Sequence, residues 1–114
     1  MRRRAALGAA AALAVPWALA QPQPRVFTLT ARRFRFEPED MVLPAGERVI
    51  IEIRSLDFIH GLNVPALHWR ADLAPSQVTR LELAAQAPGT LDFLCDNFCG
   101  DGHETMHGRF HFKA

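Results

Sequence analysis

The chain has 114 residues, of which 22% are charged, and its formal net charge is +1. Its 13 Lys and Arg nearly balance its 12 Asp and Glu, so the clustered cationic surface that nucleic-acid binding requires is not expected. A chain of this length has room for one small domain with a modest core.

The first 20 residues have the pattern of a secretory signal peptide. Three arginines at positions 2–4 precede an apolar run over residues 5–15, and the small-residue sequence ALA occupies positions 18–20. Pro16 interrupts the run well before the ~20 apolar residues that a membrane-spanning helix needs. We therefore expect cleavage after residue 20 rather than a retained anchor.

Removal of residues 1–20 would leave ten of the thirteen basic side chains against twelve acidic ones. The mature chain is then predicted to be periplasmic or otherwise exported, soluble and without a membrane span. Residues 21–25 (QPQPR) are expected to form a short tether, and residues 26–114 a single domain. Export also makes a disulfide the default expectation for the two cysteines.

Beyond the tether, apolar and polar residues alternate with the period of half-buried β-strands in RFRFE, ERVIIEI, TRLEL and GRFHFK. Turn signals such as PAG at positions 44–46 and PG at positions 88–89 separate these segments. Many short strands at regular spacing predict an all-β sandwich or barrel. The residues predicted to face inward are Phe34, Phe36, Val49, Ile51, Ile53, Leu81, Leu83, Phe110 and Phe112.

Residues 95–108, CDNFCGDGHETMHG, concentrate sulfur and nitrogen donors, with Cys95, Cys99, His103 and Met106 spaced four, four and three apart. GTLDFLC is expected to bring Cys95 to the end of one strand, and GRFHF to form the next strand. The motif is therefore predicted to be a loop joining two strands. His60, in DFIHGLNVP, follows another predicted strand, and strand ends and connecting loops can meet at one pole of a sandwich.

Three kinds of site are compatible with this loop. Cysteines four apart can form a disulfide, although so small a ring adds little chain-entropy stabilisation. Two thiolates and two imidazoles suit tetrahedral zinc, but that set has no place for a methionine. Thiolate, imidazole and thioether together are the mixed soft ligands that copper favours. The donor types favour copper without excluding a disulfide or zinc.

The number of cysteines indicates the kind of copper site. A mononuclear blue site uses one thiolate, two histidines and a distant methionine. Here two thiolates are present, and they can bridge two copper ions, each of which then takes one histidine. Met106 and a backbone carbonyl from the middle of the Cys-x3-Cys turn would supply weak axial contacts, which gives a dinuclear centre.

The segments DFIHGLNVP, PGTLDFLC and CDNFCGDGHETMHG resemble the dinuclear copper (CuA) domain of haem–copper oxidase subunit II, and the related domain of nitrous oxide reductase. The short subunit II of B-type oxidases is the most similar, since a Phe-rich strand like RFRFEP also occurs there. The resemblance implies a cupredoxin Greek-key β-sandwich. It also implies a metal site with two bridging cysteines, two histidines and two axial ligands, namely Cys95, Cys99, His60, His103, Met106 and the carbonyl of Asn97.

By this resemblance the protein is expected to bind two copper ions and to transfer single electrons in a respiratory chain. Its expected partner is a redox protein such as cytochrome c or a haem–copper oxidase, and no catalytic residues are predicted. The alternative is a periplasmic copper carrier or metallation factor that uses the same ligands. Asp57, Asp96, Asp101 and Glu104 are expected to form an acidic rim that steers a basic partner or simply keeps the protein soluble.

Overall fold

The computed structural model describes residues 23–98 and 100–114, except for the side chain of His103. The predicted signal peptide and the first two residues of the tether lie outside these residues, so that division of the chain stays a prediction. The described chain forms strands joined by turns and two short 3-10 helices, Pro65–Leu67 and His103–Thr105. The strands are β1 Arg25–Arg32, β2 Arg35–Glu37, β3 Asp40–Pro44, β4 Val49–Ser55, β5 His60–Val64, β6 Trp69–Leu73, β7 Thr79–Leu83, β8 Gly89–Leu94 and β9 His107–Lys113.

The strands make two sheets, with orders β2-β1-β4-β7 and β3-β9-β8-β5-β6. β1 and β4 run parallel, as do β3 and β9, and the other neighbours are antiparallel. Consecutive strands therefore change sheet repeatedly, which is the connectivity of a Greek-key sandwich. The predicted all-β sandwich is confirmed.

The core lies between the two sheets and contains a cluster of three phenylalanine rings. Phe93 of β8 packs edge-on against Phe36 of β2, with ring centroids 5.0 Å apart, and at 4.5 Å against Phe110 of β9. The predicted alternation is confirmed in β4, β7 and β9, whose inward residues are buried. Burial of these apolar side chains makes the main contribution to the stability of the two packed sheets.

Phe34 is a correction to the predicted alternation. Phe36 is fully buried, but Phe34 is 39% exposed, because it lies in the two-residue turn between β1 and β2. Arg32 pairs with Arg35 across that turn, so the period-two pattern ends before Phe34 and begins again after it. The RFRFE segment is thus a turn followed by the short strand β2, rather than one continuous strand.

The strand order determines which ends meet at the candidate site. β5 is the neighbour of β8 in the five-stranded sheet, with Asn63 opposite Leu94, so the start of β5 lies beside the end of β8. His60 is the first residue of β5, and Cys95 directly follows β8. The loop after Cys95 returns to β9, and the backbone N–H of Cys95 donates to the Met106 carbonyl at 3.0 Å.

Within residues 23–114, leaving out Cys99, no helix has the length and apolar character to cross a membrane.

Candidate metal centre

Two of the predicted ligands, His60 and Cys95, lie side by side in the interior. His60 is 0% exposed and Cys95 is 3% exposed, and the His60 Nδ1 atom lies 4.0 Å from the Cys95 sulfur. Cys95 is present as a free thiol. The structure therefore brings together two residues that are 35 positions apart in the sequence, as the strand-end argument predicted.

The orientation of His60 is determined by Asp57. The Asp57 Oδ1 atom lies 2.7 Å from His60 Nε2, and Phe58 N–H donates to the same oxygen at 2.7 Å. An ionised carboxylate accepts, so Nε2 carries a proton, and in the neutral imidazole Nδ1 is then the nitrogen with the lone pair. A carboxylate behind an imidazole is the usual support of a metal-binding histidine. The nitrogen left to bind a metal is thus the one that faces Cys95.

Asp57 is suited to this role because it is ionised. Its partial burial alone would raise its pKa, but hydrogen bonds from the Arg33 N–H, from His60 and from the Phe58 N–H together outweigh this and lower the pKa of Asp57. Such hydrogen bonds stabilise the charged form of a carboxyl group. The Ser55 hydroxyl donates to the Phe58 carbonyl, which closes the turn that carries Asp57.

Two further predicted ligands, Asn97 and Met106, lie in the loop that follows Cys95. The Cys95 S–H donates to the carbonyl oxygen of Asn97 at 3.3 Å, so this carbonyl points toward the sulfur. Met106 is 1% exposed, and it lines a cleft of about 420 Å³ together with Cys95. Asn97 and Met106 therefore share surroundings with Cys95.

Cys99 and the His103 side chain lie outside the described residues. Among the remaining residues, no group of three or more His, Cys, Asp or Glu side chains gathers closely enough to hold a metal ion. The complete six-residue ligand set stays a prediction. The part that is described, with a buried imidazole nitrogen, a buried thiol sulfur and a carbonyl oxygen beside that sulfur, has donor atoms that suit copper.

The turn of the β1–β2 hairpin contacts the candidate site from two sides. The Arg33 N–H donates to Asp57 Oδ2 at 2.8 Å, and the Arg33 guanidinium lies 3.9 Å from the centre of the Phe58 ring. Phe58 in turn meets the His60 ring edge-on at 4.9 Å. The turn thus reaches His60 through both Asp57 and Phe58.

Phe34, the next residue of this turn, covers the backbone of the loop. A Cβ atom built on Gly102 would lie 2.6 Å from Phe34 Cγ, and one built on Gly100 would lie 2.8 Å from Phe34 Cε1. Distances this short mean that the ring rests directly on both glycines. Sequence reasoning missed this contact, because nothing in the letters RFRFE marks the turn that brings Phe34 over the loop.

The predicted acidic rim is only partly available to a partner. Asp57 is engaged with His60, and Asp96 pairs with Arg70, a cation that the sequence reasoning did not connect with the loop. Asp101 and Glu104 are exposed. Phe98, in the same loop, is 70% exposed, which is unusual for an aromatic side chain.

A sequence model of the cupredoxin-like domain family matches residues 4–110. Cytochrome c oxidase subunit 2 of Thermus thermophilus is 29% identical over 100 residues, which are 82% of this chain and 74% of that protein. The alternative cytochrome c oxidase subunit 2 of Bradyrhizobium diazoefficiens is 34% identical over 78 residues. That match covers 68% of this chain but 28% of the Bradyrhizobium protein, so this chain resembles only a part of it.

The fold has solved counterparts as well. The periplasmic domain of subunit II of cytochrome oxidase from Bradyrhizobium japonicum superposes with a TM-score of 0.72, at 17% identity, over 81% of this chain and 86% of that one. At this identity the likeness concerns the fold, and it confirms the predicted cupredoxin sandwich.

Proposed function

The chain belongs to the cupredoxin-like domain family, and on that premise we propose that it is an exported copper protein with a dinuclear CuA-type centre that transfers single electrons. Family membership and similarity to cytochrome c oxidase subunit 2 support copper-based electron transfer. The finer proposal, two copper ions in one centre, rests on the six predicted ligands. The observation that carries the proposal of a metal centre is the approach of His60 Nδ1 and the Asn97 carbonyl to the Cys95 sulfur.

In this proposal the two ions would be held by the thiolates of Cys95 and Cys99 and by the imidazoles of His60 and His103. Met106 and the Asn97 carbonyl would supply weaker contacts. Such a centre would supply one-electron exchange in which the charge change is shared between two metal ions. Asp57 holds the His60 ring so that Nδ1 faces the thiol, and the sheets fix β5 beside β8, so little rearrangement is needed.

Electron transfer is favoured over copper delivery by the burial of the ligands. A carrier that hands on its metal needs ligands that a recipient can reach, whereas His60 and Cys95 are at most 3% exposed. A buried site held by a stiff sandwich is suited to retaining its metal. The same burial excludes water from the sulfur, which is one of the means by which a protein tunes a metal's reduction potential.

The decisive experiment is reconstitution with copper under reducing conditions. We expect two copper ions per chain, an intense thiolate–copper absorption, reversible one-electron cycling and retention of copper against a chelator. His60→Ala should lose part of the copper and change the spectrum. His111→Ala is the matched control, because His111 pairs with Asp40 on β3, away from the site. One copper per chain would refute the dinuclear centre, and rapid loss to the chelator would favour the copper-carrier alternative.

The proposed partner is a basic redox protein such as a cytochrome c, or a haem–copper oxidase. Exposed Phe98 and the exposed acids Asp101 and Glu104 offer a surface beside the site with an aromatic contact and negative charge. Electrostatic steering of this kind accelerates association and weakens with salt. We expect the rate of electron exchange with a basic cytochrome to fall as the salt concentration rises, and a salt-independent rate would refute the steering.

A further inference from the structure

Arg70 of β6 holds the first residue of the ligand loop after Cys95. Its Nε donates to Asp96 Oδ2 at 2.7 Å and its Nη2 to Asp96 Oδ1 at 2.8 Å. Two parallel hydrogen bonds between a guanidinium and a carboxylate fix orientation as well as distance. The pair joins residues that are 26 positions apart, so it ties the loop to the β5–β6 hairpin.

The ion pair rests directly on Gly61, the residue after His60. A Cβ atom built on Gly61 would lie 2.0 Å from Asp96 Oδ1 and 2.8 Å from Arg70 Nη2. Only a residue without a side chain leaves room for this contact. The backbone N–H of Asp96 also points to the Gly61 carbonyl, at 3.4 Å. The neighbours of the two buried ligands, one in each segment, are therefore in contact.

Arg70 is itself held in place by Asp72. Its Nη2 donates to Asp72 Oδ1 at 2.9 Å, and Asp72 lies opposite Gly61 in the β5–β6 pairing. The hydrogen bonds to Asp96, and then to Asp72, raise the pKa of Arg70 above its usual value, so the guanidinium is charged at every working pH. Asp96 is the most covered of the three side chains, at 21% exposed.

We infer that Arg70 is a positioning residue of the candidate metal centre, which sets the Cys95 sulfur against His60 Nδ1 by clamping Asp96 onto Gly61. The role of Arg70 at the copper rests on the proposed function, whereas its clamping of Asp96 onto Gly61 does not depend on copper. Exposed ion pairs contribute little to overall stability, so the expected effect of Arg70 is local to the loop.

The first measurement requires no copper. The chain has two cysteines, so in a Cys99→Ser background Cys95 is the only thiol, and a small alkylating reagent reports its accessibility. Because Cys95 is buried, the reaction requires the loop to open. We expect Arg70→Gln to raise the alkylation rate roughly three- to tenfold, and Arg70→Lys to raise it less, since lysine keeps the charge but lacks the planar fork.

Arg80→Gln is the matched control. Arg80 of β7 pairs with Glu52 of β4 at 3.0 Å and is as exposed as Arg70, but it lies in the other sheet. Its substitution should leave the Cys95 alkylation rate within about twofold of the parent. An unchanged rate in folded Arg70→Gln and Arg70→Lys, or an equal rise in Arg80→Gln, would overturn the clamp.

The second measurement uses the chain with both cysteines, loaded with copper. Arg70→Gln should shift the thiolate–copper absorption and the reduction potential, and Arg80→Gln should shift neither. Faster alkylation with an unchanged spectrum and potential would overturn the positioning role. If the unsubstituted chain took up no copper, the proposed function would fail, while the alkylation rates would still decide whether Arg70 fixes Cys95.

Discussion

Replacement of Asp57 by alanine should destabilise the protein more than its partly exposed position suggests. The substitution removes the acceptor of His60 Nε2, whose ring is 0% exposed, and also the acceptors of the Arg33 and Phe58 N–H groups. A buried donor left without a partner costs about 1–3 kcal/mol. The electrostatic part of the pairing adds little, because the Asp57 side chain is 36% exposed and solvent screens it.

We therefore expect Asp57→Ala to lower the free energy of unfolding by about 1–3 kcal/mol. In a domain of this size, each kcal/mol lowers the melting temperature by about 4–8 °C. Asp57→Asn should cost less, because its side-chain oxygen can still accept from His60 Nε2. Chemical denaturation of the copper-free protein measures the change without any contribution from metal binding.

Asp92 offers the matched control for this substitution. Its carboxylate also pairs with a basic side chain, Arg109, at 3.3 Å, but it is 76% exposed, so Asp92→Ala should cost no more than about 0.5 kcal/mol. If Asp57→Ala were no more destabilising than Asp92→Ala, the reasoning from the buried His60 donor would be refuted. If the proposed function is right, Asp57→Ala should also lower the affinity for copper by about 10- to 100-fold. Chelator competition on the copper-loaded protein measures this change.

Two other substitutions test the packing around the site. Gly102→Ala should cost about 1–3 kcal/mol, because its Cβ would lie 2.6 Å from Phe34 Cγ; the same change in a Phe34→Ala background should cost less, and equal costs in denaturation would contradict the contact. Phe93→Ala should cost about 3–5 kcal/mol in denaturant unfolding, because its ring lies between Phe36 and Phe110; a loss below about 1 kcal/mol would contradict a close-packed core.

The strands could be predicted because their signal is local. In β4, β7 and β9 each residue's side of the sheet follows from its position in an alternating run. The prediction was wrong at Phe34 because a two-residue turn shifts the alternation, and the letters RFRFE are the same with or without that turn. The proximity of His60 and Cys95 could also be predicted, since strand ends at one pole of a sandwich are near each other.

The supporting contacts of the site could not be predicted in the same way. Arg70 reaches Asp96 only because β5 lies between β6 and β8 and because Gly61 leaves space above the backbone. Neither condition is visible in the residues near the motif, where Asp96 has the pattern of an ordinary solvated acid. Its partner is specified by sheet order and register, which are properties of the whole domain.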